Sequence, residues 1–306
     1  MERCGRLHPR RSLGPVAAVA LALLSAVLFG AMTVALRFGL PGAGDAEVGA
    51  FAMTSVAALV AVAALVVEHG SHPVGRPREL GLFALAGLIA PGASQVFFTR
   101  AVRDAGPSRT SVVVGSAPLF AVAIAIAALG EPVKLPLIVG AVLIVLAGVV
   151  LASEQRRPAH VRMVGIVFAL ITTVLFSTRD NVVRHLAADA RTGSVAAATA
   201  ALAVAALAML VYVLITRRSR LLPALRHLNW RPFLVAGVCF GLSYVLLFEA
   251  YYRARVSVVS PLVATESLWG VILSALFLGR SEVVGVRLAA GAVLVVSGGV
   301  LIGLFR

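Results

Sequence analysis

The chain has 306 residues, 60% apolar and only 13% charged, with a mean hydropathy of +1.00, which excludes an ordinary soluble domain and points to a bilayer as solvent. A formal charge of +14 and a pI near 11.5 would raise nucleic-acid binding in a soluble protein. Here every basic residue except Lys134 is arginine, scattered between apolar runs without a basic helix or stripe, so snorkelling toward anionic headgroups accounts for the charge and no nucleic-acid partner is expected.

Apolar runs recur from end to end, each near the ~20 helical residues that cross a hydrocarbon core of ~30 Å. The first, Val16 to Arg37, follows Arg3, Arg6, Arg10 and Arg11. It exceeds the ~7–15 apolar residues of a signal core and is read as a span, leaving residues 1–15 as a tail. Ala46 to Val67, Leu80 to Ala101, Ser108 to Leu129 and Val133 to Ser153 complete a first group of five spans, in residues 16–153. Val161 to Arg184, Ser194 to Ile215, Pro232 to Tyr252, Val256 to Leu278 and Val284 to Leu304 form a second group, in residues 161–304. The connectors are short and rich in Gly, Pro and charge, as helix ends require. Cys4 in the tail and Cys239 within a span lie at different depths, which argues against a disulfide. No Cys or His cluster forms a metal site, and no cofactor is expected.

The two groups are copies. Across Gly140–Leu151 and Gly291–Ile302 seven of twelve residues are identical, Val27-Leu28-Phe29 returns as Val174-Leu175-Phe176, and Ser94 and Ala101 meet Ser243 and Ala250. Glu131 and Glu282 open the last hairpin of each copy, where a capping role is the simpler reading. Five spans is an odd number, so the second copy enters the membrane from the opposite side. The expected fold is an all-α membrane protein of ten transmembrane helices in two inverted five-helix repeats. Inverted repeats are common in secondary transporters, because exchanging the conformations of the copies opens a central site to one side and then the other.

Ala117-Pro118-Leu119-Phe120 running to Leu129-Gly130-Glu131, followed by Gly140-Ala141-Val142-Leu143, resembles the EamA family of the drug/metabolite transporter superfamily, and the resemblance covers nearly the whole chain. The second copy is looser: Glu266-Ser267-Leu268-Trp269 keeps an acid and loses the proline, and two extra residues precede Glu282. The resemblance implies both termini in the cytoplasm of a multi-pass cell-membrane protein, and export of metabolites, amino acids or toxic compounds driven by an ion gradient or by exchange. Charge counting gives no orientation, since the tail arginines favour an internal amino terminus and Arg217, Arg218 and Arg220 oppose it.

Glu266 near the middle of the ninth span is costly unless protonated, paired or hydrated. It is expected either to carry a proton or to hold a cationic group, or else to make a fixed interhelical bond or an ion pair with Arg179. Thr173, Ser177, Asp180 and Arg184 recur at helical spacing on the sixth span, with Arg179 and Asn181 adjacent. Arg179 and Asp180 are expected to line a cavity, whereas Arg184 is expected to pair with Asp180 at i, i+4 near the interface. Pro91, Pro118 and Pro261 fall inside spans and are candidate kinks for gating. Ser94, Gln95, Ser243, Tyr244 and Trp269 are candidate wall residues at similar depth, although small residues there serve equally as packing contacts. Tyr251, Tyr252 and Trp230 read as interfacial aromatics.

No nucleotide-phosphate loop and no catalytic acid or histidine cluster is seen, so ATP-driven pumping and catalysis both lack residues. The reading is a secondary transporter, monomer or homodimer, carrying a small-molecule substrate across the lipid bilayer. A membrane-embedded enzyme acting on a lipid-linked substrate is the rival class.

Overall fold

The computed structural model describes residues 15–40, 45–69, 74–120, 123–124, 135–152, 162–254, 256–279 and 285–305. Among these the regular elements are all helical, without a strand. Cys4, Glu131, Glu282 and the tail before residue 15 lie outside them. The first half contains α1 (Pro15–Gly39), α2 (Ala46–His69), α3 (Pro77–Gly87), a wide turn at Leu88–Ala93, α4 (Ser94–Ala105), α5 (Pro107–Val114) and α6 (Leu135–Ala152). The second contains α7 (Met163–Asp189), α8 (Ser194–His227), α9 (Trp230–Arg253), α10 (Val256–Val263), α11 (Glu266–Leu278) and α12 (Val286–Phe305).

Among the described residues, seven helical stretches are long and apolar enough to cross a membrane: Ala17–Gly39, Ala46–Glu68, Pro77–Ala105, Met163–Ala187, Ser194–His227, Trp230–Arg253 and Val259–Leu278. Leu135–Leu151 and Val286–Ile302 are shorter apolar helices, and the fourth predicted span is described only in part. The expectation of ten spans thus meets seven clear ones, two shorter helices and one partial run. A second difference lies after the seventh span. Arg217, Arg218 and Arg220 were expected in a plain connector, but α8 bends at Arg217 (φ −135°, ψ 20°) and runs on to His227.

The packing inverts that of a soluble bundle. On α8 Ala196, Ala197, Ala198, Ala201 and Ala205 make up much of the buried face, beside Leu202, Met209 and Val213, while Leu207, Val211, Leu214 and Ile215 face outward. Lipid tails are as apolar as leucine, so helix association gains from close backbone approach and the bulky residues are left to the lipid. The repeated Gly-rich helices show this best. A Cβ on Gly140 of α6 would stand 2.7 Å from the Gly298 carbonyl oxygen of α12, and one on Gly298 would stand 2.6 Å from the Gly140 oxygen. Ala147 and Gly291, which occupy the equivalent positions in the opposite copies, meet across the same pair of helices.

The contacts between halves have the same symmetry. α1 packs on α9 as α7 packs on α4, α2 on α9 as α8 on α3, and α1 on α10 as α7 on α5. Exchanging the halves carries each pair into the other, and α2 with α8 and α6 with α12 map onto themselves. This is the arrangement expected of two copies related by a two-fold axis.

Gly87 tests the α3–α8 contact directly, because a Cβ there would lie 2.3 Å from the Ala201 carbonyl oxygen and 2.6 Å from its Cα. Backbone cannot yield as a side chain does. Gly87→Val is expected to destabilise the protein by about 1–3 kcal/mol or more, read as a lower melting temperature in detergent. An unchanged melting temperature would show that these helices do not approach so closely.

Candidate functional site

Interrupted helices bring the polar residues together. α5 ends in a turn at Gly115–Ser116 and helix resumes at residue 117, just before Pro118. α10 contains Pro261 and ends in a turn at Ala264–Thr265, after which α11 begins at Glu266. The two turns are equivalent in the repeat, and each leaves main-chain groups without helical partners at membrane depth, where they must be satisfied internally. Side-chain hydroxyls do this. Ser116 donates to the Val113 carbonyl at 2.6 Å and Ser267 to that of Ala264 at 2.8 Å. From α7, Thr173 reaches the Val113 carbonyl at 3.3 Å and Ser177 that of Ala117 at 2.9 Å. The polar stripe of α7 therefore faces the α5 break.

The wide turn around Pro91 is a third interruption, with Ala90 in extended conformation (φ −148°, ψ 124°). Tyr244 of α9 donates its hydroxyl to the Ala90 carbonyl at 2.7 Å. Its ring lies under the guanidinium of Arg179, 4.9 Å from the ring centroid, and Phe176 takes a second position at 5.2 Å. Arg179 is only 4% exposed, and its Nε stands 2.8 Å from Asp180 Oδ1. Its Nη1 has no hydrogen-bond partner among the described residues.

These groups border a cavity of about 30 Å³ drawn from both halves. Ser25 and Phe29 of α1 and Ala117 form one side; Phe176, Arg179 and Asp180 of α7, Ser243 and Tyr244 of α9 and Glu266 of α11 form the rest. Glu266 is 6% exposed, and among the described residues its carboxylate has no ion pair within bonding distance. Two carboxylates and one guanidinium thus share one enclosure. A space of this size accepts one or two waters, so any larger occupant requires the walls to separate.

Of the residues singled out in the sequence, Glu266, Arg179, Asp180, Ser243 and Tyr244 border this cavity, and Ser94, Gln95, Asn181 and Trp269 do not. Ser94 and Gln95 are fully buried on α4, with the Ser94 hydroxyl and Gln95 Oε1 lacking partners among the described residues. Asn181 donates to the Ser177 carbonyl at 2.8 Å, and Trp269 packs where α11 crosses α1 at Gly30. Two expectations are corrected. Arg184 does not pair with Asp180; it donates to the Tyr251 carbonyl at 3.1 Å, because Asp180 is already held by its neighbour Arg179. Tyr251 is not an interfacial residue: it is 1% exposed, with Asp180 and Arg179 as its charged neighbours. Its spacing of seven from Tyr244 puts both on one face of α9, a signal the sequence held. Trp230 is 42% exposed, and its indole N–H donates to the Leu225 carbonyl.

Polar contacts between helices lie near each face of the molecule. On the face where α1 ends, Arg100 of α4 bonds Glu47 of α2, and Arg217 of α8 lies 2.9 Å from Asp45 and 3.7 Å from Glu47, tying the halves together. Burial, followed by the adjoining Glu47, holds Asp45 above its ordinary carboxylate range. On the face where α1 begins, Ser194 of α8 bonds Glu249 of α9, which also receives Arg253 at 2.6 Å. Glu47 and Arg100 are the repeat equivalents of Ser194 and Glu249, so one contact is ionic and its copy is a hydroxyl on a carboxylate.

A family model described as the EamA-like transporter family matches residues 16–153 and, a second time, residues 163–304. The chain belongs to the EamA-like transporter family, within the drug/metabolite transporter superfamily. Both EamA repeats contribute to the cavity, since the boundary between them falls between α6 and α7. A search of the curated proteins finds no match. Among solved structures, one described simply as "Crystal structure of protein" aligns over 94% of this chain and 99% of its own, with a TM-score of 0.61 at 19% identity. That similarity speaks for the EamA-like fold alone.

Proposed function

We propose that this EamA-like protein is a ten-span secondary transporter, with both termini in the cytoplasm, that exports a small metabolite, amino acid or drug. Alternating access between its repeats is driven by a proton gradient or by exchange. The observation that carries the reading is the enclosure of Arg179, Asp180 and Glu266 in one cavity bordered by both repeats. Charges at membrane depth are expensive and mark substrate or ion pathways. Placed between two inverted halves, they would be exposed to one face or the other as the halves rock. A lipid-processing enzyme needs a reactive cluster at an interface, and among the described residues no three His, Cys, Asp or Glu side chains are grouped closely enough to hold a metal.

The test begins with cells that contain or lack the protein, compared for sensitivity to a panel of amino acids and antimicrobials. Compounds that separate the two strains are then followed in sealed vesicles carrying the purified protein. No difference across the panel, together with no flux from the vesicles, overturns the reading. For any transported compound, Asp180→Asn is expected to raise KM about tenfold, the worth of a charge-assisted contact of about 1.5 kcal/mol. An unchanged KM would reduce Asp180 to a neighbour that holds Arg179 in place.

A further inference from the structure

Outside the central cavity, a cleft of about 320 Å³ lies at the face where α1 begins, between the start of α3 and the end of α7. Its rim holds Arg76, Arg78 and His185, and its floor is Leu82, Phe83 and Leu186. Glu79 also borders it, but that carboxylate is engaged. Its Oε2 accepts from the Thr192 hydroxyl at 2.7 Å and from the main-chain N–H groups of Thr192 at 2.8 Å and Arg191 at 3.0 Å. Arg76 approaches Glu79 only to 4.0 Å, and Arg78 has no ion pair among the described residues. The cleft is therefore positive at its rim and apolar below.

Two observations say where an occupant comes from. Phe83 lies 6.3 Å, centroid to centroid, from both Phe248 and Tyr252, so an aromatic wall separates the cleft from the interior of the bundle. On the other side, Leu82 and Leu85 are 40% and 59% exposed and follow Arg78 at i+4 and i+7, on the same outward side of α3. The cleft thus continues into the lipid-facing stripe of α3, with an arginine at its upper end.

We propose that this cleft is a binding site for an anionic phospholipid, whose phosphate is held by Arg76 and Arg78 and whose acyl chain runs along Leu82 and Leu85. Basic pockets between transmembrane helices near the interface are suited to such headgroups. Charge complementarity selects an anionic headgroup over a zwitterionic one, and continuity with the apolar stripe selects a lipid over a soluble anion. Because α3 belongs to the first repeat and α7 to the second, the lipid would touch both halves beside the Glu79–Thr192 contact that joins them.

The experiment is native mass spectrometry of the purified full-length protein titrated with phosphatidylglycerol and, separately, phosphatidylcholine. Phosphatidylglycerol should bind in preference, and Arg76→Gln with Arg78→Gln should weaken it about tenfold while leaving phosphatidylcholine adducts unchanged. Arg218→Gln with Arg220→Gln removes the same charge from the opposite face and should leave phosphatidylglycerol binding intact. Leu82→Gln, which alters no charge, should also weaken it. Melting temperatures in phosphatidylcholine, equal to the parent protein's, identify the variants that are folded. Equal loss in both arginine pairs, or full binding by the Arg76 and Arg78 variant, overturns the proposal. So does displacement of the lipid by millimolar inorganic phosphate, which would make the cleft a soluble-anion site. None of these readouts involves transport, so the outcome is independent of the function proposed above.

Discussion

Glu266→Gln is expected to abolish gradient-driven accumulation in sealed vesicles while leaving the protein inserted and folded. Glutamine keeps the size and polarity of the side chain and removes its ability to exchange a proton. One proton moving through 100 mV supplies about 2.3 kcal/mol, enough for roughly 50-fold accumulation of a coupled solute. Without an exchangeable proton the ratio should collapse to unity, while passive equilibration of the same compound can persist. Glu266 is placed for this role at the first residue of α11, directly after the break in its span and in the same cavity as Asp180 and Arg179. The equivalent position in the first repeat is Ala117, so the repeat supplies no matching acid. Uphill transport unchanged by the substitution would reduce Glu266 to a packing residue.

Arg179→Gln should be the more damaging change to the protein itself. The guanidinium shares the cavity with Asp180 and Glu266, and the rings of Phe176 and Tyr244 lie 5.2 and 4.9 Å from it. Breaking a buried pair by removing one partner typically costs about 3–5 kcal/mol, because the surviving charge is left uncompensated. A lower melting temperature and loss of flux are both expected. The double change Arg179→Gln with Asp180→Asn separates the two effects, since it removes a positive and a negative charge together. Stability should recover in the double variant and transport should not. Recovery of both would make the pair a structural element, with substrate recognition elsewhere in the cavity.

Much of the architecture could be read from the sequence, because duplication leaves an ordered record. Gly140-Ala141-Val142-Leu143 and Gly291-Ala292-Val293-Leu294 announced the pair α6 and α12, and small residues at those positions are what close packing in lipid requires. The prolines marked two of the interruptions: Pro91 sits within the wide turn of the third span and Pro118 just past the turn in the fourth. In the ninth span the break falls three residues after Pro261, and proline alone did not locate it.

The pairing of charges was less legible. Helical spacing favoured Asp180 with Arg184, but side-chain rotamers bring Asp180 to Arg179, and spacing says nothing about rotamers. Arg217 with Asp45 joins residues from opposite repeats, a contact no local pattern encodes. Tyr251 was misplaced because an aromatic near a span end has two uses, and only the packing of α7 against α9 shows which applies.

The crossing of α1 and α9 is secured by a reciprocal pair of bonds. Ser25 donates to the Ser243 carbonyl and Ser243 to the Ser25 carbonyl, each at 2.9 Å, with the two hydroxyls 3.0 Å apart. The repeat equivalents are Thr172 and Ser94, where α7 crosses α4, and they make no such exchange: Thr172 donates within its own helix to Phe168, and the Ser94 hydroxyl has no partner among the described residues. One crossing carries a reciprocal pair of bonds and its repeat equivalent, among the described residues, does not. If the halves rock as proposed, the two crossings would resist that motion unequally, and opening toward one face would differ in energy from opening toward the other before any solute or gradient is applied.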